Sequence, residues 1–94
     1  MEYKIEIHTE VQKFLNAQDS KTQHRLIKGL KRLKNDPLSH DIKKLKGTKG
    51  RPDLYRLRIG NYRAIFSIED DTVKVIEIIP REKGYGWLAL LLVA

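Results

Sequence analysis

Three arginines, Arg56, Arg58 and Arg63, stand within eight residues of one another on either side of Gly60-Asn61. A guanidinium keeps its proton at any usable pH and donates hydrogen bonds in a rigid fork. Grouped guanidiniums therefore suit an oxyanion such as phosphate, whose charge they can stabilise as it builds during transfer. They are poor general bases for the same reason. Metal chemistry finds no support in the composition. There are no cysteines, and His8, His24 and His40 stand at spacings that match no zinc pattern.

Two strands joined by a tight turn are needed to bring these arginines together. Apolar and polar residues alternate on both sides of Gly60-Asn61, a pair that tolerates positive φ, so residues 54–66 read as a hairpin. With a two-residue loop, Ile59 faces Tyr62, Arg58 faces Arg63, Leu57 faces Ala64 and Arg56 faces Ile65. One face then carries Tyr55, Leu57, Ile59, Tyr62, Ala64 and Phe66, which is a core face, and the other carries Arg56, Arg58 and Arg63. Like charges opposed across a sheet cost a few tenths to about 1 kcal/mol. An anion bound there would explain why the chain carries that cost.

The charge balance agrees. The 94-residue chain is +7 overall, yet residues 21–63 hold fourteen Lys or Arg against Asp36, Asp41 and Asp53, a net +11. The remainder is therefore net negative, an asymmetry that implies a polyanionic partner, either nucleic acid or an acidic protein segment. The alternative is a solubilising surface, the simpler reading for the helix cations Lys21, Arg25, Lys28, Lys31, Arg32 and Lys34. The length fits a single domain, 1–94, with one core. The residues 1–5 lack a signal-peptide core, and no apolar run approaches the roughly 20 residues of a membrane span. The expected location is cytoplasmic, with no membrane association.

In chain order, Tyr3, Ile5 and Ile7 alternate with Lys4, Glu6 and His8, which predicts a half-buried strand. Thr9 with Gln12, and Ser20 with Gln23, have the spacing of helix capping boxes. Val11, Phe14 and Leu15 form one apolar helix face; Leu26, Ile27, Leu30 and Leu33 form the next. Gly29 inside the second helix costs up to about 1 kcal/mol relative to alanine, for which a close helix contact would be a reason. Asn35-Asp36-Pro37 ends that helix. Residues 35–53 read as a Lys- and Gly-rich connection anchored by Leu45. After the hairpin, Glu69-Asp70-Asp71-Thr72 turns into a third strand, 73–79. A two-residue loop there pairs Phe66 with Val75; one more loop residue pairs it with Ile76. Val73, Val75, Glu77 and Ile79 then share one face, with Lys74, Ile76 and Ile78 on the other. The apolar tail 86–94 is open to three readings: a buried final element, a surface covered by a partner, or a scar unrelated to the fold. The order predicts an α+β fold: an N-terminal strand, an antiparallel helical hairpin, then a three-stranded antiparallel meander in one twisted sheet. The helices cover one face of that sheet, and the arginine face is expected to be open and concave.

Nearly the whole chain resembles the RelE/ParE toxin superfamily, and specifically the RelE-type mRNA interferases of toxin–antitoxin systems. The resemblance rests on Tyr-x-Ile-x-Ile at 3–7, the helical hairpin, Leu45-Lys46-Gly47, the block from Asp53 to Phe66, and Arg81-x-x-x-Tyr85. It implies a RelE-like fold and a cofactor-free, metal-independent endoribonuclease that cuts mRNA at the ribosome and inhibits translation. It also implies a cognate acidic antitoxin. Carried over residue by residue, the catalytic positions are Arg56, Arg58, Arg63, Arg81 and Tyr85. Arg56, Arg63 and Arg81 would bind phosphate and stabilise transition-state charge, Arg58 would orient the RNA, and Tyr85 would stack on a base and exchange a proton. Lys43, Lys44, Lys46, Lys49, Arg51 and Lys83 are the expected RNA-binding residues.

This chain departs from the family in three places. Relatives often carry lysines where Arg56 and Arg58 stand, many have His in place of Pro80, and Gly84 replaces a bulkier residue. With arginine unable to act as base, Tyr85 is the leading candidate, aided by Lys83, Lys46 or a ribosomal group. Two other functions share the fold: a ParE-type toxin that inhibits DNA gyrase, and a non-catalytic basic module that binds RNA or an acidic protein.

Overall fold

A computed structural model describes residues 2–37, 42–45 and 53–82 of the chain. The first strand, β1 (Lys4–Ile7), leads into helix α1 (Thr9–Asn16) and helix α2 (Ser20–Lys31), which tightens into a 3₁₀ turn at Arg32–Lys34. Four more strands follow: β2 (Ile42–Lys44), β3 (Leu54–Ile59), β4 (Tyr62–Glu69) and β5 (Thr72–Pro80). They form one five-stranded sheet in the order β1-β5-β4-β3-β2, antiparallel except where β1 runs parallel to β5.

The helices start one residue earlier than the capping boxes predict. His8 caps α1, its Nδ1 accepting the Glu10 N–H at 3.2 Å, and Asp19 caps α2, its Oδ1 accepting the Thr22 N–H at 2.7 Å. A carboxylate is the stronger acceptor and complements the positive end of the helix dipole, so Asp19 displaces Ser20 from that role. The backbone and then the side-chain hydrogen bonds from Thr22 hold the Asp19 carboxyl below its ordinary range. Gln23 is thereby released from capping and donates to the Leu15 carbonyl at 3.1 Å, tying the two helices together.

Both helices pack on one sheet face. Val11, Leu15, Leu26, Leu30 and Leu33 meet Leu57, Ile59, Ala64, Phe66, Val73, Val75 and Ile78 in a continuous core. Each large side chain buried there contributes about 1.5–3 kcal/mol. Ile27 is the exception in the predicted stripe and is 39% exposed. Gly29 has its reason: a Cβ there would stand 2.8–2.9 Å from three carbons of Ile59, so α2 lies almost against β3.

The β3–β4 register is as predicted at every pair from Ile59–Tyr62 to Arg56–Ile65. Of the turn residues only Gly60 has positive φ, at +57°, the geometry of a turn with glycine in its first central position. The Asp70-Asp71 loop is also two residues long, with Asp70 at φ 56° and Phe66 opposite Val75.

Three further expectations change. Residues 42–44, within the stretch whose composition predicts a connection, form the short edge strand β2, with Ile42 opposite Leu57 and Lys43 opposite Arg56. Two consecutive lysines on such an edge discourage pairing with another chain. Second, β5 carries an irregularity opposite Ile65/Phe66, where Ile76 is the extra residue. It moves Ile78 to the core face and Glu77 and Ile79 to the other, reversing the predicted faces beyond Val75. Unbroken alternation would have driven the Glu77 carboxylate into the core. Third, the arginine face is not open throughout: Ile65, Ser67 and Ile79 are buried. Exposed residues on this face include Lys43 and Arg58, toward its β2–β3 side. The candidate residues Tyr85, Lys46, Lys49, Arg51 and Lys83, and the 86–94 tail, lie outside the described residues.

Candidate nucleic-acid interface

Arg58 and Arg63 oppose each other two positions from the β3–β4 turn. Ile59 and Tyr62 form the hydrogen-bonded pair that closes a two-residue loop, so Arg58 and Arg63 form the next, non-hydrogen-bonded pair. Opposed side chains lie closest in such pairs. β5 runs alongside and ends where Pro80 faces Tyr62. The next N–H, that of Arg81, donates to the Asn61 carbonyl at 2.7 Å and ties Arg81 to the turn.

Arg58, Arg63 and Arg81 thus converge, with Gly60 and Tyr62, around a hollow of about 70 Å³. That is the scale of one oxyanion rather than of a base. Among the described residues its lining contains no carboxylate. Arg58 and Arg81 are exposed and Arg63 is half-buried. Ion pairs among the described residues leave Arg58 and Arg81 unengaged.

Arg56 lies one row further from the turn, in the order Lys43–Arg56–Ile65–Glu77 across the sheet. Lys43 therefore extends the positive face toward the edge. The Nε of Arg56 is buried without a hydrogen-bond partner among the described residues. Glu77 lies two strands away, and its Oε1 accepts the Ile78 N–H at 3.1 Å. Lys44 does not join the group. It pairs with Tyr55 on the opposite face parity, and its Nζ sits 3.0 Å from Asp53, whose hydrogen bond and charge raise its pKa. Tyr55 and Tyr62 pack on the core, as expected: Tyr55 stacks on Phe66 at 5.6 Å, and Tyr62 meets Phe14 edge-on at 5.9 Å.

A second hollow, about 490 Å³, lies away from the arginines between β1, β4 and β5 and is bordered by Glu6, Ile7, His8, Ser67, Lys74, Val75 and Ile76. Though larger, it gathers no convergent charge, and Lys74 at its border is held by Glu69 at 2.7 Å. Convergent positive charge is found at the smaller one. Arg25 is the residue whose relation to the turn the sequence did not disclose. A Cβ at Gly60 would lie 3.5 Å from its Cδ and 3.6 Å from Nη1. The helical spacing from Gly29 was the available signal.

No helix among the described residues is long and apolar enough to cross a membrane, and among them no group of three or more His, Cys, Asp or Glu could hold a metal ion.

Residues 5–85 match the family model of the ParE toxin of type II toxin–antitoxin systems, parDE. A Methanocaldococcus jannaschii protein named RelE1 is 29% identical over 85 residues, 89% of this chain and 94% of its own. The archaeal RelE–RelB complex from Pyrococcus horikoshii contains a chain 34% identical to this one, with a TM-score of 0.75 over 89% of this chain and all of that one. The free Escherichia coli RelE double mutant, 23% identical with a TM-score of 0.67, covers 99% of this chain and 96% of its own and shares the fold. The chain is therefore a member of the ParE toxin family, a RelE-like toxin of a type II toxin–antitoxin system within the RelE/ParE superfamily.

Proposed function

We propose that this toxin is a metal-independent endoribonuclease that cuts mRNA in the ribosomal A site and so inhibits translation. The observation that carries this reading is the convergence of Arg58, Arg63 and Arg81 on one phosphate-sized hollow, with no carboxylate among the described residues that line it. In the reaction the ribose 2′-oxygen loses its proton and attacks the adjacent phosphorus. The bond to the 5′-oxygen of the next nucleotide breaks, and that oxygen takes up a proton. The products are a 2′,3′-cyclic phosphate and a 5′-hydroxyl. Negative charge accumulates on the non-bridging oxygens, where forked guanidinium donors stabilise it more than in the ground state. Arg63 and Arg81 hold the reacting phosphate, Arg56 adds charge from the next row, and Arg58 orients the strand. Tyr85 is the candidate to stack on a base and relay the proton.

The test is primer extension on cellular mRNA after induction, with growth arrest as a second readout. Arg81→Ala and Arg63→Ala are each expected to lower cleavage by about 10²-fold while the protein stays folded. Full toxicity in both variants would sink the proposal.

The match to a ParE model favours one second reading, inhibition of DNA gyrase without RNA chemistry. A DNA-supercoiling assay separates it from cleavage. The expected partner is an acidic antitoxin, in keeping with the Pyrococcus horikoshii relative, which was crystallised with RelB. Its carboxylates would face the arginines. A pull-down that recovers no small acidic protein would count against that partner.

A further inference from the structure

Gly29 sets α2 hard against Ile59 at the end of β3. One helical turn earlier, on the same face of α2, stands Arg25, whose stem and Nη1 lie over Gly60. Gly60 is itself part of the wall of the arginine hollow. The turn thus has Arg58, Arg63 and Arg81 on one side and an exposed fourth guanidinium on the other, with no Cβ between them to lift Arg25 away. Among the described residues no ion pair engages Arg25. The other cations of α2, Lys21, Lys28 and Lys31, are exposed helix positions for which solubility is a sufficient role.

We propose that Arg25 forms a second phosphate site across the Gly60 turn, engaging the backbone phosphate next to the one held by Arg58, Arg63 and Arg81. The ligand class is single-stranded RNA, and the site rests on the RNA-binding part of the function proposed above. Two phosphates gripped on either side of a tight turn fix the direction of the strand, which a single anion hollow cannot do. The glycine pair then has separate roles: Gly29 brings α2 close, and Gly60 leaves room for the Arg25 stem.

The probe is a short oligouridylate with 2′-O-methyl riboses, which lacks the nucleophile, followed by fluorescence anisotropy across a salt series. Arg25→Ala is expected to make the slope of log K against log salt shallower by about 0.7, the value of one phosphate contact on a single strand. Its affinity at low salt is expected to fall by up to about five-fold. Arg25→Lys should restore the slope but only part of the affinity, since it keeps the charge and loses the fork. Thermal unfolding of both variants should match the native protein. Native slope and affinity in Arg25→Ala, with Arg81→Ala weakened, would overturn the second site and leave RNA binding intact. A shallower slope in Arg25→Ala, from a native protein that never cleaves mRNA on ribosomes, would support the site and refute the nuclease. No binding by the native protein would overturn the second site, while primer extension on ribosomes would still decide the nuclease.

Discussion

Replacing Arg58 with threonine is expected to stabilise the fold while it weakens the activity. Arg58 opposes Arg63 across a pair in which side chains approach most closely, and Arg81 adds a third positive charge to the same hollow. Directly opposed like charges cost a few tenths to about 1 kcal/mol, and threonine keeps the β-propensity of the site. A gain of about 0.5 kcal/mol corresponds to a rise in Tm of about 2–4 °C for a chain of this size. The source is Coulombic between exposed Arg58 and Arg81 and half-buried Arg63, so the gain should shrink as salt is raised to about 1 M, where the Debye length is only about 3 Å. The assay is thermal unfolding by circular dichroism at low and high salt, paired with mRNA cleavage, which should fall by at least about ten-fold. A lower Tm, or a gain indifferent to salt, would refute the view that the fold holds these arginines together against their own repulsion.

Gly29→Ala gains about 1 kcal/mol of helix propensity, but its Cβ would meet Ile59 at 2.8 Å, and overpacking costs about 1–3 kcal/mol. Urea unfolding should show a net loss that Ile59→Ala partly offsets in the double variant, so additive losses would refute the contact. For Asp19 the folded pKa lies below the unfolded one, so its contribution is present above the unfolded value, about 3.9, and is lost as pH falls through the folded value. Asp19→Ala should therefore lower Tm at about pH 7, with the gap narrowing as pH falls below the unfolded value of about 3.9; a gap that does not narrow in acid would show that the cap is not the cause.

The parts of the fold legible in the sequence are those set by local chemistry. Gly60-Asn61 and Asp70-Asp71 each admit a two-residue loop, and once the loop length is set, period-two alternation assigns every partner along β3 and the first half of β5. Gly29 could be flagged but not explained, because its partner Ile59 is thirty residues away in sequence. The parallel pairing of β1 with β5 is equally non-local. Strand β2 was hidden because Ile42-Lys43-Lys44 is too short to show a period. The caps fall one position before the capping-box spacing of Thr9 and Ser20, because His8 and Asp19 offer an acceptor already in the extended backbone. The arginine cluster was legible as a cluster. Its limits were not, since the burial of Ile65 and Ile79 on the same face depends on tertiary context.

The irregularity in β5 matters more to the site than to the core. In unbroken alternation Arg81 would share the parity of Val73 and Val75 and project toward the helices, away from Arg58 and Arg63. The extra residue, Ile76, reverses that parity: Glu77, Ile79 and Arg81 come to the arginine side, while Ile78 and Pro80 turn inward. The same shift brings Pro80 level with Tyr62 and leaves the Arg81 N–H to bond the Asn61 carbonyl. One inserted residue therefore does two things at once. It keeps the Glu77 carboxylate out of the apolar core, and it delivers the third guanidinium to a hollow that two opposed strand residues could only half enclose. The sequence carries the sign of it, since Val-Lys-Val-Ile-Glu-Ile-Ile cannot bury all its isoleucines and expose its glutamate in a single register. Reading that conflict as a bulge, rather than as an uncertain loop length, is what assigns Arg81 to the site.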